Sequence, residues 1–259
     1  MCGRYVLVQQ VEVLEKRFQV KVPSGYVHHT GVNIGPGSLA PVITDAAPAE
    51  LQTFVFGLTP FWAKKRMYLF NARAEGDRNA ENDPAYTGAL EIVRKPAFRK
   101  PIRSQRCLVP FDAFIEGTVA EKLKRPFLVQ PTDREPPYAF AGIWDSWVDQ
   151  ATGEVVNGFS LITQVANSIL QRLPHHRSPV VLAREHERAW IDPGLPLADV
   201  LSLLKPYPGD AMNAWPIDPA IRDPRAHDPA LIKPLGEAVR SEQEFVFRAD
   251  LVLQGMQPR

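Results

Sequence analysis

The chain has 259 residues, of which 45% are hydrophobic, 23% are charged and 25 are proline, and its formal net charge is +1. That size and composition fit an ordinary soluble globular protein of one large domain or two small ones with a sizeable core. The near-zero charge excludes a globally basic nucleic-acid binder, so any such surface must come from local clustering. Two cysteines, Cys2 and Cys107, exclude a disulfide framework, no uncharged apolar run reaches membrane-spanning length, and the N-terminus lacks an apolar signal region; the expected location is a reducing cytoplasm.

The chain starts Met1-Cys2-Gly3-Arg4. Removal of Met1 leaves Cys2 with a free α-amine beside its thiol, a 1,2-aminothiol that only a first residue can offer. With reference pKa values of about 7.7–8.0 for the amine and about 8.5 for the thiol, both are partly nucleophilic near neutral pH. The pair can condense with one aldehyde to a thiazolidine, or the thiol can act alone as an acyl nucleophile with the amine as base. Position by itself equally allows Cys2 to be an ordinary residue near the start.

Val6 to Val8 reads as a short strand, and Val11, Leu14 and Phe18 fall at helical spacing with Glu12, Glu15, Lys16 and Arg17 on the other side. His28-His29 has no matching ligand set nearby, which favours a surface or packing role over a metal site. Asn33 to Gly37 is a turn cluster, followed by strands at Leu39 to Thr44 and Leu51 to Gly57. Phe56 to Arg66 combines aromatics, Trp62 among them, with Lys64-Lys65-Arg66, a pairing that stacks unpaired bases and meets phosphates in single-strand binders or else forms a turn with a solvated basic rim. In Phe70-Asn71-Ala72-Arg73-Ala74-Glu75 an extended chain puts Asn71, Arg73 and Glu75 on one face. Gly76 to Leu90 reads as a surface loop, and Arg94 to Arg106 is a run of cations with no acid, either a solvated face or a phosphate-contacting edge.

Cys107-Leu108-Val109-Pro110 begins an apolar strand with Cys107 as a small buried hydrophobe. Phe111 to Gly117 ends an apolar stretch on Glu116; a carboxyl so placed is either partly buried, with its protonated form favoured, or the first exposed residue after a strand. Tyr138 to Trp144 and Gly158 to Thr163 read as core strands joined through a polar turn near Asp149 to Gly153. In Leu173 to Leu182 two prolines brace a loop carrying His175, His176 and Arg177, from which an imidazole can be aimed into a cleft, and a strand follows. Glu185 to Trp190 and Leu197 to Leu204 read as helical, Trp215 to Pro234 as proline-rich and irregular, and Ser241 to Leu253 as a strand or a helix.

Taken in order, Met1-Cys2-Gly3-Arg4, Asn33-Ile34-Gly35-Pro36-Gly37, Phe56 to Lys64, Asn71-Ala72-Arg73-Ala74-Glu75, Arg106 to Pro110, Phe114-Ile115-Glu116 and His175 to Pro179 resemble the SOS response-associated peptidase family. The resemblance runs from residue 1 to about 235, leaving 236–259 as a C-terminal extension. It implies an α+β fold: a single domain with a largely antiparallel, bifurcated or barrel-like β-sheet flanked by helices. It also implies capture of abasic sites in single-stranded DNA, through a thiazolidine between the N-terminal cysteine and the ring-opened sugar. Carried over by position, Cys2 is the nucleophile, Asn71 positions the sugar and the cysteine, Glu116 moves protons at the α-amine, and His175 assists ring opening. Arg4, Arg73 and Arg177 match phosphate-contacting positions, and Trp62 lies in the block that supports base stacking. No metal or organic cofactor is implied, and a monomer is the favoured state.

The chain departs from the family pattern at Gly117, where an aromatic usually follows the glutamate; at Phe56, usually Trp; in the residues after His175; and in 76–90, which look inserted. A one-residue shift would make His176 the catalytic imidazole, but Arg177 and Pro179 keep the family spacing with His175. Two alternatives stand beside the crosslinker: an N-terminal-cysteine peptidase or amidase using the same residues, and a DNA-binding relative without reactivity.

Overall fold

The structure is a computed structural model that describes residues 3–239. Its first elements are β1 (Tyr5–Leu7), α1 (Val11–Phe18), β2 (Gly31–Ile34), β3 (Leu39–Thr44), β4 (Ala47–Phe56) and β5 (Asn71–Arg73). After the loop at 76–90 come α2 (Pro101–Ser104), β6 (Arg106–Phe111), β7 (Ala113–Thr118), β8 (Lys122–Pro131), β9 (Tyr138–Val148) and β10 (Val155–Val165). The rest comprises α3 (Ser168–Arg172), β11 (Arg177–Pro179), α4 (Arg184–Trp190), α5 (Leu197–Ser202) and β12 (Met212–Pro216).

These strands make two sheets. In one, the order β12-β8-β7-β1-β2 is antiparallel throughout. In the other, β10-β4-β3-β6-β9 closes on itself because β9 pairs back with β10, so five strands form a barrel. The barrel sheet also forks at β10. Gly158 and Phe159 pair with β4, but Leu161 to Thr163 pair with β5 and Thr163 to Val165 with β11. The fold is therefore α+β, with a barrel-like, bifurcated and largely antiparallel sheet and short flanking helices.

Period-two alternation explains how the sheets meet. Tyr5 and Leu7 of β1 point into the main core, whereas Val6 joins a second cluster with Val32, Ala113, Ile115 and Ile221. The Tyr5 ring packs edge-on against Phe56 at 5.5 Å and Phe140 at 5.9 Å, while Phe140 stacks on Phe111 and Phe56 on Phe159. Each such pair contributes about 0.5–1.5 kcal/mol beyond the area it buries. The aromatic cluster thus ties the N-terminal strand to the barrel.

The two central helices form where expected, α1 burying Leu14 and Phe18 and α4 burying Trp190, whose Nε1 donates to the carbonyls of Cys107 and Gly142. Elsewhere the structure departs from the sequence reading. Asn33 and Ile34 belong to strand β2 because Ile34 pairs with Tyr5, and the turn begins only at Gly35. Strand β4 starts at Ala47, four residues before Leu51, because a tight turn pairs Thr44 with Ala47; residues 48–50 are exposed, so the apolar pattern is silent there. The stretch Trp215 to Pro234, read as irregular, contains the end of β12 and two short 3₁₀ turns whose Asp218 and Asp228 side chains cap them by accepting from the amides two residues on. Val239 exchanges backbone hydrogen bonds with Ala214, so the chain is still attached to β12 there. Ser241 to Leu253 lies outside the described residues. Among the described residues, no helix is long and apolar enough to cross a membrane.

The cationic run before β6 is not uniform: Arg94, Arg99, Lys100 and Arg103 are exposed, but its last member is not. Arg106 is fully buried, and its guanidinium donates to the carbonyls of Trp190, Ile102, Arg103 and Asp192 at 2.6–3.2 Å. Arg103 donates to the Val93 and Arg99 carbonyls, Lys95 pairs with Asp77, and Lys100 lies over the Phe61 ring. Arg106 instead satisfies the carbonyls of two chain segments around α2 and α4. Arg106→Met keeps the apolar stem and leaves those carbonyls unpaired, so equilibrium urea unfolding should show a loss of about 3–5 kcal/mol. A loss below ~1 kcal/mol would mean the carbonyls find water.

Candidate functional site

An open cavity of about 700 Å³ lies where β1, the end of β7 and the loop before β11 converge. Its walls include Gly3, Arg4, Phe70, Arg73, Glu116, Gly117, His175 and His176. The strand pairing that builds it is short but fully buried: Tyr5 pairs with Phe114 and Val6 with Ala113, and the Ile115 amide donates to the Arg4 carbonyl at 2.9 Å. Continuing that register two residues beyond the Tyr5–Phe114 pair would bring Gly3 opposite Glu116. Met1 and Cys2 lie outside the described residues.

Glu116 is 3% exposed, and its carboxyl pKa is pushed up to about 7 by burial. Its Oε2 lies 3.4 Å from Nε2 of His175. His175, 7% exposed, has its pKa brought down to about 3, again mainly by burial. The other ring nitrogen, Nδ1, is 2.9 Å from the Gly117 carbonyl. A carbonyl can only accept, so Nδ1 carries the proton and Nε2 of the neutral ring faces the carboxyl. A protonated Glu116 can donate to it. His176 stacks on His175 with ring centres 5.3 Å apart, half-buried on the cavity wall and without the carboxyl contact. Of the two imidazoles, His175 is the one joined to Glu116.

Gly117 has two local consequences. A Cβ there would overlap the Lys122 carbonyl across the β7–β8 hairpin, at the irregularity between Gly117 and Thr118. The bare backbone thus lets the hairpin close, and the Gly117 carbonyl then orients His175. An aromatic side chain at this position does not fit the hairpin as it stands.

Asn71 sits on β5 next to Leu161 of β10, between the cavity residues Phe70 and Arg73. Both polar atoms of its amide are buried with no hydrogen-bond partner among the described residues. An unpaired buried amide is costly unless a bound group completes it. Arg73 is half-buried on the cavity wall, with Nη1 donating to the Asn79 carbonyl. Glu75 does not share its face. The strand ends at Arg73, and Glu75 turns inward to a bidentate pair with Arg177 at 2.8 and 3.1 Å.

Arg177 is 1% exposed, and its fork is also spent on the Thr163 carbonyl and hydroxyl. Arg177, expected to contact phosphate, is held in this buried ion pair, which braces the loop that carries His175. Trp62 is exposed but is not among the cavity's walls, and lies in the turn with exposed Phe61, Met67 and Tyr68. His28 is a packing residue, its Nε2 bound to the Gln9 carbonyl and its Nδ1 near the Tyr26 hydroxyl. Among the described residues, no three His, Cys, Asp or Glu side chains are placed to hold a metal ion.

The comparison that settles the family is the match of residues 1–224 to the model described as SOS response associated peptidase (SRAP). The chain belongs to that family. Among similar proteins is the abasic site processing protein YoqW of Bacillus subtilis (strain 168), 30% identical over 241 residues, covering 90% of this chain and 99% of that protein. The abasic site processing protein HMCES of Pongo abelii is 23% identical over 304 residues, covering 98% of this chain and 82% of that one. A crystal structure of a Bacteroides thetaiotaomicron protein is 28% identical and superposes with a TM-score of 0.76 over 91% of this chain and all of the other.

Sequence reasoning missed the Arg4–Asn33 contact, with Arg4 Nη1 2.7 Å from Asn33 Oδ1, and the role of the Gly117 carbonyl. Backbone acceptors and contacts between distant residues leave no spacing signature.

Two outcomes follow for the SRAP site. Glu116 has an ordinary pKa near 4.5 when unfolded and about 7 when folded, so folding favours its protonated form. Its burial is therefore cheapest below pH 4.5 and is paid in full above pH 7. Glu116→Gln should leave unfolding free energy nearly unchanged at pH 4 and raise it relative to the parent at pH 8, as read by urea unfolding at both values; an equal difference at the two pH values would contradict the buried neutral acid. Gly117→Ala should cost more than ~1 kcal/mol in the same measurement, because the hairpin must open to admit the methyl.

Proposed function

We propose that this SRAP protein captures abasic sites in single-stranded DNA, forming a thiazolidine between Cys2, freed of Met1, and the sugar aldehyde. The observation that carries this reading is that Gly3 lines the cavity holding the Glu116–His175 pair. One peptide link, about 3.8 Å between Cα atoms, joins Gly3 to Cys2. The names of the similar proteins supply the lesion, and the unpaired Asn71 amide supplies a donor and an acceptor for a sugar hydroxyl or for Cys2.

The chemistry needs protons moved in both directions, which a carboxyl with a pKa near 7 can do. The abasic sugar is mostly a closed hemiacetal. Neutral His175 accepts the C1′ hydroxyl proton while Glu116 gives its own proton to the ring oxygen, and the C1′–O4′ bond breaks to leave the aldehyde. The proton on His175 then returns to Glu116 across the 3.4 Å contact. The low basicity of His175 favours that return. The α-amine of Cys2 adds to the aldehyde, Glu116 protonates the departing hydroxyl, and one water leaves as the iminium forms. The Glu116 carboxylate takes the thiol proton, and the thiolate adds to the iminium carbon to close the thiazolidine. Glu116 ends protonated, as it began, and the net loss is one water. No step calls for a metal or an organic cofactor.

Arg4 and Arg73 at the rim meet the flanking phosphates, and Trp62 on its exposed turn offers a stacking face to an unpaired base. Arg177 serves by holding the His175 loop.

Intact-mass analysis of the protein with a single-stranded oligonucleotide carrying one abasic site tests the reading. The expected product is the chain without Met1 plus the oligonucleotide minus one water, absent for Cys2→Ala and formed roughly 10²-fold more slowly by Glu116→Gln. Met1 removed and no adduct would refute capture and turn the search to peptide or amide substrates of the same cysteine.

A further inference from the structure

We infer that a second, preorganised cationic groove leaves the cavity past the tip of the β7–β8 hairpin and carries the phosphodiester backbone of the strand beyond the lesion. This inference rests on the single-strand reading above and extends it to where the strand goes. A shallower hollow of about 420 Å³ shares Arg4, Lys122 and Leu123 with the main cavity and is otherwise lined by Glu121, Lys124 and Arg222. The shared residues make the two hollows continuous. Four of the six residues lining the outer one are cations and one is an acid.

The acid does not neutralise them. Glu121 lies 3.8 Å from Arg125. Asp223 pairs with Arg225 and also lies close enough to Arg4 to favour its charge, so the cations free of carboxylates are the other three. Lys122, Lys124 and Arg222 are exposed and, among the described residues, have no carboxylate within ion-pair distance.

The groove is also built. Buried Asn33 accepts from Arg4 Nη1 at 2.7 Å, and its amide nitrogen donates to the carbonyls of Ile221, Asp223 and Ala226 at 2.9–3.1 Å. One side chain thereby holds Arg4 and the segment bearing Arg222 together. Gly35 completes the seat, since a Cβ there would come within 3.1 Å of the Arg4 side chain. On the opposite side, Lys122 is held in left-handed backbone at φ 52°, and the hairpin is tied to the His175 loop by the Val119 amide donating to the Pro174 carbonyl. Exposed Val119 and half-buried Leu123 supply apolar surface beside the cations, where a base or a deoxyribose can rest. Exposed cations on anchored backbone segments, leading out of a sugar-sized cleft, match an extended polyanion better than a compact anion, which would need convergent donors.

The test is the salt dependence of binding to a fluorescent, lesion-free single-stranded oligonucleotide, which removes the covalent step. Each phosphate contact contributes a slope of about 0.7 in log Kd against log salt for single strands, so Lys122→Gln/Lys124→Gln/Arg222→Gln together should lower the slope by ~2. Lys16→Gln on α1, which lines neither hollow, serves as the control and should leave the slope unchanged. Asn33→Ala, which leaves every charge in place, should weaken binding at low salt by loosening Arg4 and Arg222. Thermal unfolding establishes that each variant is folded. Parent-like slopes in the triple variant, with the parent still capturing an abasic strand, would overturn the groove and leave the proposed function standing. A parent that neither binds nor captures single strands would remove the proposed function itself.

Discussion

The structure depends on the pairing of β1 with β7. Tyr5, Val6 and Leu7 are almost completely buried, with alternate side chains entering two different cores, so this three-residue strand cannot shift register without exposing one set or the other. Register here has a chemical meaning. It sets the direction in which the chain meets the cavity, which Gly3 lines together with Glu116. The Tyr5 ring wedged against Phe56 and Phe140 extends that constraint into the barrel.

The acid is part of the same constraint. A carboxyl at the end of a buried strand is desolvated whether or not it has work to do, and the cost appears as a pKa near 7. A neighbouring imidazole would ordinarily draw the proton and make a charged pair. Here the same burial that raises Glu116 lowers His175, so a charged pair is disfavoured and the carboxyl holds its proton up to about pH 7. The Gly117 carbonyl fixes the tautomer, and it can do so because Gly117 lacks a side chain to hold the hairpin away.

Much of this was legible in the sequence because it depends on local pattern. The apolar stretch ending in Glu116, the helix of Val11 to Phe18 and the strands of Tyr138 to Trp144 and Gly158 to Thr163 all follow from periodicity, and the ordered motifs implied the family's forked, barrel-like sheet. What escaped depends on partners far away in the chain. Glu75 and Arg177 are 102 residues apart, and the pattern around Asn71 suggested a shared polar face instead of a buried ion pair. Asn33 reads as a turn residue because its acceptors are backbone carbonyls some 190 residues downstream, which no side-chain spacing records. Arg106 misled for a related reason: a run of cations looks solvated until one of them is found among carbonyl oxygens.

The proposed function calls for both a buried acid–imidazole pair and a charged rim, and these conflict if they meet. A cation brought close to Glu116 would favour its carboxylate and remove the proton that the departing hydroxyl of the proposed reaction requires. The fold separates them by using side chains of different reach from neighbouring backbone positions. Arg4 is one residue from Gly3, yet its guanidinium is drawn sideways to Asn33 and away from the acid. Arg177 is two residues from His175, yet its charge is neutralised by Glu75 inside the core. Arg73 is held by the Asn79 carbonyl at the margin. Arg4, Arg73 and Arg177 are thus each anchored elsewhere or paired, and under the proposed function this separation lets one cleft combine a buried acid of pKa near 7 with a rim for phosphates.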